Sequence, residues 1–292
     1  MTNFVQPIYF SKRIVTTDLP AFVMGILNAT PDSFYAGNRG TGKKKDWLQF
    51  LTDKALKMIA SGVDILDIGG ESTRPGSNYV DATEEIARII PLIKEIRKFS
   101  DCPISIDTRK KIVLEAALDA GADMLNDVSA LEDDELMASF VAAKNIPVVL
   151  MHKRGIPAGM QENTSYEDVV AEVCTYLQSR VAFALSAGIK KEKIILDPGI
   201  GFGKDLSGNI SLIKNMKKIS ENGKFHSIMA LSRKRCIGEM CQQDVDNRLF
   251  GTLAANLVSV CNGATILRVH DVAETIDVLK VLQFFPEIIN NC

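Results

Sequence analysis

Histidine and tryptophan are scarce in this chain, with three of one and a single copy of the other. No two of the six cysteines stand as C-x-x-C or beside histidines at zinc-like spacing. A structural zinc site and a disulfide scaffold are therefore excluded, and the thiols suit a reducing compartment. No run approaches the ~20 apolar residues that cross a bilayer. Met1 to Phe10 lacks a basic stretch leading into an apolar one, so no signal peptide and a cytoplasmic location are expected. Neither sign of charge dominates, because 34 Lys and Arg stand against 36 Asp and Glu. Nothing in that balance calls for nucleic acid or a membrane surface as partner.

What the chain has is a repeated alternation. Eight short apolar runs recur: FVMGIL (22–27), DILDIGG (64–70), PISID (103–107), MLNDV (124–128), PVVLMH (147–152), IILDPG (194–199), SIMALS (227–232) and ATILRVH (264–270). Near-continuous aliphatic runs are expected of parallel strands covered by helices. Between them lie segments of helical period. Ile86, Ile89, Ile90, Ile93 and Ile96 share one helix face, with Pro91 inside it predicting a kink. Asp46 is a candidate cap for the helix carrying Leu48, Leu51 and Ala55. Gly62, Gly121, Gly188 and Gly263 stand between a helix and the next strand, where a left-handed cap favours glycine. Unbroken βα alternation over about 250 residues predicts a (β/α)8 barrel of the TIM type, with a doubly wound sheet as the alternative. Residues 4–16 fall outside the count and are read as an N-terminal hairpin closing the barrel floor.

The polar and turn-forming residues gather at one end. All eight runs finish in them: Asn28, the Glu71–Gly76 stretch, Asp107 to Arg109, Asn126 and Asp127, His152, Asp197 to Lys204, Ser232 to Lys234, and Arg268 to Asp271. In barrel enzymes the carboxyl ends of the strands carry the active site. Asp107, Asn126 and Asp197 offer acceptors and one amide for a flat heterocycle with amino and lactam edges. Lys234 can donate to such a ring. Arg268 and His270, two apart on one strand, face one side and suit a phosphate group. Asn28 is a neutral oxygen ligand acceptable to Mg2+ that also holds phosphate oxygens. Asp197-Pro198-Gly199 on its own is equally a plain turn, and the Gly-rich run after it lacks P-loop spacing. His226, preceding the seventh run, is expected to be surface; Cys236 and Cys241 are expected to be inert; Arg109 and Asp127 are expected to pair beside the pocket.

LNATPDSF (27–34), DIGGESTRPGS (67–77), SIDT (105–108), ND (126–127), LMH (150–152), DPGIGFGK (197–204), SRK (232–234) and RVHD (268–271) together resemble the ordered motifs of the dihydropteroate synthase family. The resemblance implies one pterin-binding barrel domain over residues 1–292, with 1–20 as the N-terminal extension. It implies a pterin ring on Asp107, Asn126, Asp197 and Lys234, with Met151 and Phe202 against its faces. A diphosphate would lie near Asn28, Thr73, Arg268 and His270, with Mg2+ on Asn28. Asp107, Lys234, Arg268 and His270 would carry the catalysis. p-Aminobenzoate would meet Phe34, Thr73, Arg74, Pro75 and Arg235, a subsite open to sulfonamides. A homodimer is implied, with the small-residue helix within 246–261 as its interface. Three departures stand out: Arg235 where serine is usual, Lys153-Arg154 after LMH, and Tyr35 to Asn38 in the first loop. Two other functions stay open. One is a methyltetrahydrofolate–corrinoid methyltransferase sharing the pterin floor; the other is a pterin-binding paralogue without turnover, its second pocket blocked by Arg235.

Overall fold

The computed structural model describes residues 4–30, 44–72, 77, 79–155 and 164–290. A short antiparallel hairpin comes first, β1 (Ile8–Tyr9) paired with β2 (Ile14–Val15). Eight parallel strands follow: β3 (Phe22–Asn28), β4 (Ile65–Gly69), β5 (Ile104–Asp107), β6 (Met124–Asp127), β7 (Val148–Met151), β8 (Ile194–Asp197), β9 (His226–Met229) and β10 (Ile266–Val269). They close in sequence order, β10 pairing with both β9 and β3, so the sheet has no edge. All eight coincide with the aliphatic runs, and the TIM barrel is the observed fold.

Helices alternate with the strands on the outside. They include α1 (Lys44–Ala60), α2 (Ala82–Arg97), α3 (Lys111–Asp119), α4 (Met137–Lys144), α5 (Val169–Ser186), α6 (Leu206–Lys214), α7 (Met216–Ile219), α8 (Arg235–Cys241), α9 (Leu249–Cys261), α10 (Val272–Leu282) and α11 (Pro286–Asn290). Helix α2 buries Ile89, Ile93 and Ile96 as its period predicts, and runs on through Pro91 to Arg97. Asp46 lies within the first turn of α1 rather than capping it. All four inter-element glycines have positive φ, between 93° at Gly188 and 113° at Gly121, a region costly for residues with a Cβ.

Strand side chains alternate between two cores, as a period of two requires. Val23, Leu27, Leu66, Ile68, Leu125 and Leu150 face outward into the helix layer. Phe22, Met24, Ile65, Met124, Val149, Ile195, Ile228 and Ile266 face inward, where Ile8 and Phe10 of the hairpin join them. The hairpin therefore plugs the floor. Lys193 Nζ donates to the Tyr9 carbonyl at 2.6 Å, and Arg13 pairs with Asp123 at 3.2 Å to pin it. His226 belongs to this closure and not to the surface. Its ring nitrogens lie 3.1 Å from Thr265 Oγ1 and 3.3 Å from the Pro7 carbonyl, and burial lowers its pKa.

Candidate active site

Two residues beyond the apolar inward layer, the same strand face turns polar. Asp67 follows Ile65, Asn126 follows Met124, Asp197 follows Ile195, and Arg268 follows Ile266; Met151 follows Val149 in the same way. Asp107 pairs in register with both Gly69 and Asn126. Strand geometry alone thus delivers Asp107, Asn126, Asp197, Arg268 and Met151 to one barrel mouth.

Arg268 ties this floor together. Its Nε donates to Asp67 Oδ2 at 2.6 Å and its Nη2 to Asp107 Oδ2 at 2.8 Å, while Asn126 Nδ2 donates to the same Asp67 oxygen at 3.2 Å. Burial pushes the Asp107 carboxyl up to about 7; Arg268 opposes the shift and Asp67 adds to it. Burial opposes the Arg268 charge, yet the two carboxylates outweigh it and raise its pKa. Asp197 is also raised by burial, against the pull of Lys234 and of the Gly199 N–H, which it accepts at 2.6 Å. Burial lowers Lys234, with Asp197 working to keep it charged. Lys234 Nζ donates to the Ile200 carbonyl at 2.7 Å and stands 4.9 Å from the centre of the Phe202 ring.

The loop after β8 owes its shape to two residues. Gly199 has φ +69°, and a Cβ there would lie 1.8 Å from the His152 carbonyl oxygen. Lys204 turns inward, donating to the Gly199 and Phe202 carbonyls at 2.9 Å each and meeting His152 Nδ1 at 3.0 Å. Burial, with Lys204 and Arg154 adding to it, drives His152 down to about 3, and burial brings Lys204 to about 7. Lys204 thus clamps the loop that carries Phe202. On the adjoining β9–β10 side, His270 Nδ1 lies 2.9 Å from Ser232 Oγ, and its pKa falls to about 3 through burial and the nearby charges of Lys54 and Arg268. Arg233, next to Ser232, forms a two-bond pair with Asp271, next to His270. Asn28 closes β3 beside Gly69.

Other candidates fall elsewhere. Phe34, Thr73, Arg74 and Pro75 lie outside the described residues, as do Tyr35 to Asn38 of the first loop. The Arg235 guanidinium is 79% exposed and bonded to Glu239 at 2.6 Å. Lys153 pairs with Asp133, and Arg154 pairs with Glu172 while stacking on Tyr166. The pairing of Arg109 with Asp127 is corrected: Arg109 meets Glu71, Asp133 and the face of Tyr79, while Asp127 accepts the backbone N–H groups of Ser129 and Leu131. Cys236 is buried with its thiol pKa raised, consistent with an inert group. Asp67 was missed. It is fully buried, and the clue was a carboxylate in the middle of DILDIGG at inward parity with Ile65.

Residues 24–270 match the family model of the pterin binding enzyme. The chain is 42% identical over 281 residues to the dihydropteroate synthase of Haemophilus influenzae, a match spanning 94% of this chain and 98% of that protein. The chain belongs to the dihydropteroate synthase family. Among solved structures, the Xanthomonas albilineans dihydropteroate synthase with 4-aminobenzoic acid superposes with a TM-score of 0.87 at 41% identity, covering 96% of this chain and 98% of that one. The same enzyme in complex with 7,8-dihydropteroate gives 0.85 at 39% identity, covering 96% of this chain and 99% of that one. The family's pterin-binding model therefore spans every strand of the barrel from Met24 onward.

Proposed function

We propose that this site joins p-aminobenzoate to 6-hydroxymethyl-7,8-dihydropterin diphosphate, giving 7,8-dihydropteroate and pyrophosphate in folate synthesis. The observation that carries this is the floor of buried Asp67, Asp107, Asn126 and Asp197, tied together by Arg268 and joined by Lys234, in a chain of this family. Acceptors at Asp197 and Asn126 match the amino and lactam edge of a pterin, and Lys234 supplies a donor from the wall. Met151 and the Phe202 ring, held by Lys204, offer apolar surface to the ring faces. Arg268 and His270 rise from one strand toward the diphosphate. The C–O bond of the exocyclic methylene breaks with its electron pair leaving on pyrophosphate. The aniline nitrogen then forms the C–N bond and gives up a proton. Positive charge that develops on the pterin is stabilised by the Asp107 carboxylate, which the arriving diphosphate frees from one arm of Arg268.

Loop residues Phe34, Thr73, Arg74 and Pro75 are proposed to cover p-aminobenzoate. Among the described residues no group of three or more His, Cys, Asp or Glu forms a metal cage. A single amide oxygen at Asn28 fits Mg2+ only as an ion arriving with the diphosphate, whose charge it would offset. A homodimer through α9 is supported by exposed apolar side chains, Phe250 (81% exposed) with Val258 on α9 and Phe284 (82% exposed) just past α10. A cytoplasmic location is supported by the free state of Cys102, Cys174, Cys236, Cys241 and Cys261. Among the described residues no helix is long and apolar enough to cross a membrane. Arg235 is proposed to partner the p-aminobenzoate carboxylate from the N-terminal turn of α8. Pyrophosphate release from the pterin diphosphate, measured with and without p-aminobenzoate, tests the reaction. Release that depends on p-aminobenzoate is expected; binding of methyltetrahydrofolate with no release from the diphosphate would overturn it.

A further inference from the structure

We infer that Ser232 is a positioning residue: its hydroxyl fixes the His270 ring in the tautomer that carries its proton on Nε2 and presents that N–H to the diphosphate. The role of Nε2 rests on the proposed reaction, whereas the tautomer does not. Ser232 is buried in the turn after β9, 38 positions from its partner. Its Oγ accepts the backbone N–H of His270 at 3.1 Å and lies 2.9 Å from Nδ1 of the same residue. A backbone N–H can only donate, so one lone pair of Oγ is already taken. The hydroxyl owns a single proton. If Nδ1 were the protonated nitrogen, Oγ would accept twice and a buried O–H would be left without an acceptor among the described residues, at a desolvation cost. With Oγ–H donated to Nδ1, every group in the pair is satisfied. A neutral ring whose Nδ1 accepts must then hold its proton on Nε2.

Two further observations support the assignment. The ring is neutral, because burial and the charges of Lys54 and Arg268 disfavour imidazolium, while Asp271 only partly offsets them. The rung between Ser232 and His270 is also braced by its neighbour. Arg233 grips Asp271 with bonds of 3.1 and 2.7 Å, and Arg233 N–H donates to Thr252 Oγ1 at 3.2 Å. Arg233 sits at φ +58°, so the turn that presents Ser232 is set by contacts rather than by local preference. His270 thus has Nδ1 held from the β9 side, and Nε2 has no hydrogen-bond partner among the described residues. A neutral donor there can hydrogen-bond an oxygen that gains charge as the diphosphate leaves.

Nitrogen-15 NMR on the imidazole-labelled full chain tests this directly, since only three histidines contribute. The His270 signals are assigned by their loss in His270→Gln. A pyridine-like Nδ1 and a pyrrole-like Nε2 are expected in the wild type; a pyrrole-like Nδ1 overturns the inference. In Ser232→Ala, checked for folding by circular dichroism, the Nδ1 signal should shift. The kcat should then drop roughly tenfold while KM for the pterin diphosphate changes less than about twofold, the size typical of losing an orienting partner. An unchanged kcat overturns the positioning role. A chain that shows the stated tautomer but never condenses p-aminobenzoate upholds the Ser232–His270 assignment and overturns the reaction instead.

Discussion

Asp107 lies where burial, a guanidinium and a second carboxylate compete, and burial wins: the carboxyl titrates near neutrality, at about 7. An unfolded aspartate titrates near about 4. Between those values the folded state keeps the extra proton, so the contribution to ligand-free stability is greatest below about pH 4 and is lost as pH rises to about 7. Catalysis runs the other way, because the ionised form is the one that can face a cationic pterin. Accordingly kcat/KM for the pterin diphosphate is expected to rise as pH climbs through about 7, and Asp107→Asn should flatten that limb. A wild-type profile that is flat from about pH 6 to 8 contradicts this assignment. Asp197 makes a second residue-scale test. Its removal strands donors of the pterin in a buried site, so Asp197→Ala should weaken ring binding by about 1–3 kcal/mol, roughly 5- to 150-fold, by calorimetry. Unchanged affinity would place the ring elsewhere. The residues that sequence exposed are those at strand ends with unmistakable parity. Asp67 escaped because its partner Arg268 is 201 positions away, and no local pattern announces a bond across a closed barrel.

Elements were more legible than their contacts. Aliphatic runs mark the strands because parallel strands are covered on both faces, and the inward residues change from Ile and Met to Asp, Asn and Arg within two positions. The hairpin at 8–15 was likewise readable as a floor, since Ile8 and Phe10 alternate with exposed Tyr9. His226 was misread because its burial comes from that hairpin and from β10, both remote in sequence. The same limit explains Arg109, whose partners Glu71 and Asp133 belong to the loops flanking it rather than to its neighbouring strand end. The loop after β8 carries the sharpest element-scale prediction. Gly199→Ala puts a Cβ against the His152 carbonyl and strains a positive φ, so a loss of at least about 1–3 kcal/mol in stability is expected by thermal or urea melting. Because Lys204 anchors Phe202 through the same loop, pterin affinity should fall with it. An unaltered melt would show that the loop tolerates a different path.

Across the whole molecule, the described barrel is sealed below by a hairpin and polar at its mouth, while the outer surface carries exposed apolar side chains. Helix α9 packs on α10 and α11, and Phe250 and Phe284 stand exposed nearby. The wild type is proposed to sediment as a dimer and the double variant Phe250→Glu, Phe284→Glu as a monomer; a dimeric wild type whose variant stays dimeric moves the interface to another face, and a monomeric wild type overturns the dimer. Asp107, Asn126, Asp197, Lys234, Arg268 and His270 are proposed to surround one small molecule. A crystal structure of the chain soaked with the pterin diphosphate tests it most directly. The ring edge is expected on Asn126 and Asp197 and the diphosphate beside Arg268 and His270; a ligand bound away from the barrel mouth, or touching only one of these groups, would overturn the shared site.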